Sequence, residues 1–293
     1  MSKANKTVII TGSSSGFGLK AAKDFSDKGY QVFATMRKPN GKNAALKDEL
    51  QAHSQNIHIV DMDVTSDESV KTAIAGVLDE AGSVDILINN AGVMYLGITE
   101  AFSIAQAKEQ METNYFGAIR TMQAVLPAMR AAKSGLIINT SSLVGQISPP
   151  FFSTYSATKH ALEAYVQGLR YEVSPFGIDV AIVQPGPFRS GLLGGGQGPD
   201  RGDVLKSYGE LANVPTAMGE HFAQFLQSDE SPDPQLVVDT YLALAEMPVG
   251  KRPTRTVVGI TWGVDEMNVG KQPIQDRVLQ EMQLQDVLGG TDV

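Results

Sequence analysis

The chain of 293 residues contains no cysteine. That absence excludes disulfides, a thiol nucleophile and a thiolate metal site, and redox chemistry then requires a borrowed cofactor. It also agrees with a cytoplasmic location, the expectation adopted for this chain. Basic residues are in the minority, 24 Lys and Arg against 32 Asp and Glu, giving a formal charge of −8 and a pI near 5.1. A nucleic-acid binder needs a basic face, so phosphate-backbone binding is not expected. Long apolar runs are also missing. The opening MSKANKTVIITG offers only Val8, Ile9 and Ile10 in succession, far short of a secretory core or a membrane span. Histidine is scarce, with His53, His58, His160 and His221 the whole supply. No internal repeat or low-complexity run stands out.

What is present is apolar content, 42% of residues, ample for a full core. Runs rich in Val and Ile alternate with helical stretches: TVIIT (7–11), YQVFAT (30–35), NIHIVDMDV (56–64), VDILINNAG (84–92), GLIINTSS (135–142), IDVAIVQPG (178–186) and RTVVG (255–259). Asp67 is placed to cap one helix and Gly82 to close it. A long helix is expected over roughly 105–132, interrupted late by Pro127. Another is expected from Ser153, with Leu162, Val166, Leu169 and Val173 on one side and Pro175 as its stop. The strand runs lack clean alternation, as strands buried on both faces do. The reading is an α/β, Rossmann-type doubly wound parallel sheet of about seven strands with helices on both faces, forming one domain over 1–293. Its ligand crevice is expected at the carboxyl ends of the strands. The segment 191–235, with GGGQGP and SDESPDP, breaks the rhythm and reads as an inserted substrate lid.

TGSSSGFG follows the first strand and opens a helix, with Gly12, Gly16 and Gly18 spaced G-x-x-x-G-x-G. Glycines let a backbone approach a pyrophosphate, and a helix N-terminus offers free N–H groups and a positive dipole end. The same residues spell G-x-S-x-G around Ser14, the elbow of a serine hydrolase, which requires an acid and a histidine downstream. At the end of the second strand an NAD enzyme needs an acid for the ribose hydroxyls, whereas a 2′-phosphate calls for arginine. QVFATMRKPNGK has no acid and offers Arg37 and Lys38, which points to NADP(H). Further on, Tyr155 and Lys159 stand four residues apart, on one helical face. A neighbouring ammonium favours phenolate, so this tyrosine is a candidate proton carrier. Each residue also has a plainer use: a surface pair for Tyr155 and Lys159, a turn for Ser142, packing for Asn114 and Asn90.

Together these motifs resemble the short-chain dehydrogenase/reductase family over about residues 5–190: the glycine turn, NNAG (89–92), Asn114, Ser142 thirteen residues before Tyr155, Lys159, and PGPFRS (185–190) with Ser190 where threonine is commoner. The resemblance implies that Tyr155 is the general acid/base and Ser142 holds the substrate oxygen. It implies that Lys159 grips the nicotinamide ribose and Asn114 anchors a water leading to Lys159. Cofactor contacts are implied for Gly12, Ser14, Ser15, Gly16, Phe17, Gly18, Arg37 and Lys38. Asp63 and Val64 would flank adenine; Asn90, Ala91, Gly92, Pro185, Gly186, Phe188 and Ser190 complete the set. A homodimer or homotetramer is implied in the same way. TGSSSGFG and FATMR look closest to the hydroxysteroid and retinol dehydrogenase branch. Met94, Leu143, Phe151, Phe152, Leu192, Leu193 and Met218 are the expected pocket, which suits an apolar small-molecule carbonyl or alcohol. A sensor that binds NADPH without turnover and a hydrolase using Ser14 remain alternatives; no metal is expected.

Overall fold

The computed structural model describes residues 6–192 and 196–284. Seven strands form one sheet in the order β3-β2-β1-β4-β5-β6-β7, every pair parallel. They are β1 (Thr7–Ile10), β2 (Gln31–Met36), β3 (Ile57–Asp61), β4 (Ile86–Asn89), β5 (Gly135–Thr140), β6 (Ile178–Pro185) and β7 (Arg255–Val258). Each coincides with a Val/Ile run read from the sequence.

Both faces of the sheet are buried, which is why the runs lack alternation. Val8, Ile10, Ile86, Ile88, Leu136 and Ile138 point into one core with Ala21, Ala22 and Phe25 of helix α1 (Gly16–Asp27), Leu50 of α2 (Ala44–His53) and Tyr241 of α9 (Gln235–Glu246). Ile9, Leu87 and Ile137 point into the other, against Ile74 of α3 (Asp67–Ala81), Met122 of α5 (Gly117–Ala132) and Val166 of α6 (Ser153–Val173). Burial of such side chains contributes roughly 1.5–3 kcal/mol each. The strand order reverses between β1 and β4, so the connections leaving their carboxyl ends diverge and open a crevice.

Three local readings change. Ser66, not Asp67, caps α3 by accepting the Ser69 N–H, because Asp67 is already the first helical residue; Gly82 closes the helix at φ +77° as expected. The long helix is two, α4 (Ile104–Met111) and α5, joined by a π-helical turn over Glu112–Phe116. Among its described residues the segment 191–235 is largely helical: α7 (Gly202–Ser207) and α8 (Val214–Gln227) lie within it, and α10 (Val264–Glu281) follows β7. Asp200 accepts from the Ser103 N–H and hydroxyl at 3.1 and 2.8 Å, and Tyr208 donates to Glu100 at 2.7 Å, fastening this segment to the chain beyond β4. Among the described residues no helix is long and apolar enough to cross a membrane.

Candidate active site

Gly12 at φ +69° and Gly16 at φ +54° form the turn between β1 and α1, a conformation that L side chains rarely adopt. Asn90 fixes it from the residue after β4: its amide donates to the Thr11 and Gly12 carbonyls at 2.9 and 3.2 Å, while Thr11 Oγ1 accepts the N–H groups of Asn90 and Ala91, both at 2.9 Å. Gly18 serves packing. A methyl there would lie 2.5 Å from the Gly12 carbonyl oxygen and 2.6 Å from the Asn90 amide, and the residue does not line the cavity. Ser15 is the N-cap of α1 and makes no side-chain bond to the helix. The first-turn N–H groups have no partners within the helix, the arrangement that suits a phosphate.

From this cradle a cavity of about 540 Å³ runs across the carboxyl ends of the strands. Ser14, Ser15, Gly16 and Phe17 line its start; Asp63 and Val64 line one side; Ala91, Gly92, Pro185, Gly186, Phe188 and Ser190 line its floor and far wall. Burial alone would raise the Asp63 carboxyl, but hydrogen bonds from Thr65 and the charges of Arg37 and Arg120 take it below its ordinary value. Arg37 reaches the cavity and Lys38 does not, because at φ +50° Lys38 turns its N–H to Asp61 at 3.0 Å and its side chain to solvent. The turn Pro39-Asn40-Gly41 brings Lys42 back to the lining instead, and Asn43 holds the Arg37 carbonyl at 2.6 Å. Lys42 was missed; the PNG turn between it and Arg37 was the available signal.

At the other end, Ser142 follows β5 and caps a short turn over Leu143–Gly145 by accepting the Val144 N–H at 3.3 Å. Its hydroxyl also acts on the Tyr155 phenol, favouring the ionised form. Tyr155 and Lys159 share one face of α6 as the spacing requires, but they are no surface pair, being 4% and 5% exposed. The Lys159 ammonium lies 5.7 Å from the Tyr155 ring centroid and donates to the Thr140 carbonyl at 2.8 Å. Burial holds the Tyr155 phenol well above its ordinary range, with the Ser142 hydroxyl opposing. Burial also lowers Lys159 to about 8, against the pull of Glu163. In the isolated chain desolvation is the largest influence on Tyr155, which keeps its proton.

Asn114 sits in the π-helical turn, buried and outside the cavity lining. Its Oδ1 accepts the Val93 N–H at 2.8 Å, and its Nδ2 donates to the Val93 carbonyl at 2.8 Å and to Thr158 at 3.0 Å. It ties the segment after β4 to α6, beside Gly92, whose added methyl would lie 3.9 Å from the Lys159 nitrogen. The apolar end is lined by Met94, Leu143, Val144, Phe152 and Leu192. Phe151 is turned away at φ +70°, its carbonyl accepting the Gly97 N–H at 3.1 Å. Met218 does not line the cavity, and Leu193 lies outside the described residues. Phe222 of α8 and Trp262 after β7 do line it and were not anticipated; Phe222 meets Phe152 edge-on at 6.5 Å.

The elbow reading of Ser14 finds no base. None of the four histidines lines the cavity: His53 pairs with Asp27 at 2.9 Å, His58 with Glu80 at 2.7 Å, His160 bonds the Ser156 carbonyl at 2.9 Å, and His221 is exposed on α8.

The family model described as "short chain dehydrogenase" matches residues 6–195. The chain belongs to the short-chain dehydrogenase family. Among curated relatives, this short-chain dehydrogenase is 42% identical over 188 residues to 3-ketodihydrosphingosine reductase of Bacteroides thetaiotaomicron, covering 63% of this chain and 65% of that one. It is 38% identical over 190 residues to human retinol dehydrogenase 8, covering 64% and 60% respectively. The chain thus spans less than two thirds of the length of these relatives. A solved short-chain dehydrogenase from Streptomyces avermitilis superposes with a TM-score of 0.77 at 32% identity, covering 97% of both chains.

Proposed function

We propose that this short-chain dehydrogenase transfers a hydride between NADP(H) and the carbonyl or secondary alcohol of an apolar small molecule. The observation that carries the reading is the buried Tyr155 phenol beside the Lys159 ammonium, in the same cavity as Ser142, a glycine cradle, Arg37 and Lys42. The residues fit the nucleotide: a positive-φ turn suited to pyrophosphate, two cations lining the cavity from a loop after β2 that has no acid, and a buried proton carrier at the far end. NADPH, when bound, supplies the hydride. Arg37, Lys42 and Ser15 hold the 2′-phosphate; Lys159 holds the ribose; Asp63 and Val64 flank the base. Ser142 orients the substrate oxygen, and Tyr155 passes its phenolic proton to that oxygen in reduction or takes one back in oxidation. The chain works as one domain, with 191–235 as the lid that brings Phe222 against the substrate, and assembles as a homodimer or homotetramer.

Two consequences arise at once. Lys159 is charged below about 8 and neutral above it. NADPH affinity then falls as pH rises through that value, by up to about tenfold per pH unit for one obligatory proton, which a titration at stepped pH measures. Removing the Phe222 ring takes an apolar wall from the substrate. Phe222→Ala is expected to raise KM for apolar carbonyls by roughly tenfold, given about 1.5–3 kcal/mol for a fully buried Phe, and to leave KM for NADPH unchanged. The reading itself is tested by following NADPH consumption with aldehydes and ketones of graded apolar chain length. Strict preference for charged sugars overturns the substrate class, and ester cleavage without nucleotide overturns the reaction.

A further inference from the structure

Glu163 is a carboxylate only 2% exposed, and no step above uses it. It lies one helical turn beyond Lys159 on α6. Its Oε1 accepts from Ser141 Oγ at 2.7 Å and from Gln184 Nε2 at 2.8 Å; its Oε2 accepts from Arg255 Nε at 2.9 Å and from Gln146 Nε2. These donors come from the residue before Ser142, from β6, from β7 and from the residue after the Leu143–Gly145 turn. A methyl on Gly145 would meet Glu163 Oε1 at 2.4 Å and Ser141 Oγ at 2.6 Å, so the turn that presents Ser142 is closed around this carboxylate. The network continues to α10, where Asn268 donates to Gln184 at 2.7 Å and Lys271 donates to Gln146.

We propose that Glu163 is a positioning residue for the reaction: it ties the Ser142 turn to the helix carrying Tyr155 and Lys159, and supplies the buried negative charge that faces Lys159. This rests on the oxidoreductase reading. The cations around Glu163 are Lys159 on its own helix, Arg255 from β7 and Lys271 from α10. Around Lys159, the ionisable neighbours on α6 are Tyr155 and Glu163, while the Thr140 carbonyl and Asn114 facing it from other elements are neutral. Burial disfavours the Lys159 ammonium and Glu163 favours it. Loss of the Glu163 charge therefore lowers the pH at which Lys159 deprotonates.

The test is Glu163→Gln, which keeps the shape and removes the charge. Lys159 is titrated by NMR in nucleotide-free protein carrying Cε-labelled lysine, its resonance assigned by its loss in Lys159→Met. The expected result is a midpoint lower than wild type by about half a pH unit or more, a modest electrostatic coupling. The alkaline limb of kcat moves down with it, and kcat falls by about tenfold to a hundredfold through misplacement of Ser142 while KM for the carbonyl stays within about twofold. Glu163→Asp keeps the charge and restores the Lys159 midpoint. An unchanged midpoint in Glu163→Gln, with a pH profile of unchanged shape, overturns the proposal and leaves the carboxylate a packing element. If Glu163→Gln does not fold, Glu163→Gln/Arg255→Met removes both buried charges, and the Lys159 midpoint is expected to fall in the same direction by a smaller amount, since loss of the cation partly offsets loss of the carboxylate. The titration needs neither nucleotide nor carbonyl. Absence of wild-type turnover therefore refutes the oxidoreductase reading separately, and the midpoint alone then decides the electrostatic role.

Discussion

Tyr155→Phe is expected to lower kcat by about 10²–10⁴-fold, the usual contribution of a positioned general acid, while leaving NADPH binding intact. The phenol is buried and protonated, so it is placed to donate rather than to accept in the nucleotide-free protein. Removing one oxygen from a ring otherwise packed in an apolar cluster with Met94 and Val144 leaves the cavity shape unchanged. The loss therefore falls on kcat and not on KM for nucleotide, which steady-state kinetics with a fixed carbonyl separate. Equal losses in kcat and in nucleotide affinity would instead mark Tyr155 as a structural member of the site.

Arg37→Ala is expected to weaken NADPH binding by roughly 10- to 100-fold, the range for losing a hydrogen bond to a charged group at about 1.5–3 kcal/mol. NADH binding, which involves no 2′-phosphate, is expected to change little. Lys42 shares the lining and limits the loss in the single variant, so Arg37→Ala/Lys42→Ala is expected to abolish the preference for NADPH altogether. Fluorescence titration of each variant with both nucleotides measures the ratio. A parallel fall in both affinities would show that Arg37 shapes the loop and does not read the phosphate.

The sheet was legible because each strand is a short Val/Ile run buried on both faces, and periodicity reports burial directly. The shared face of Tyr155 and Lys159 was legible because both lie on one helix, where spacing alone fixes their relation. What escaped depends on contacts distant in sequence. The π-helical turn at Asn114 is held by bonds to Val93 and Thr158, neither of which a local reading of residues 105–132 includes. Phe151 and Phe152 look alike in the sequence, yet a left-handed φ at Phe151 sends only Phe152 into the cavity. Phe222 belongs to a helix inside a segment whose glycines and prolines read as irregular. The protonated state of Tyr155 follows from desolvation, which residue spacing does not reveal.

The central claim is hydride transfer at the Tyr155 end of the cavity. It is tested most directly by loading the protein with NADPH deuterated at the nicotinamide C4 position, adding a mixture of apolar aldehydes and ketones, and weighing the alcohols by mass spectrometry. The account predicts alcohol carrying one deuterium on the former carbonyl carbon, formed by wild type and not by Tyr155→Phe. Bound NADPH that survives every carbonyl with its deuterium in place would contradict it.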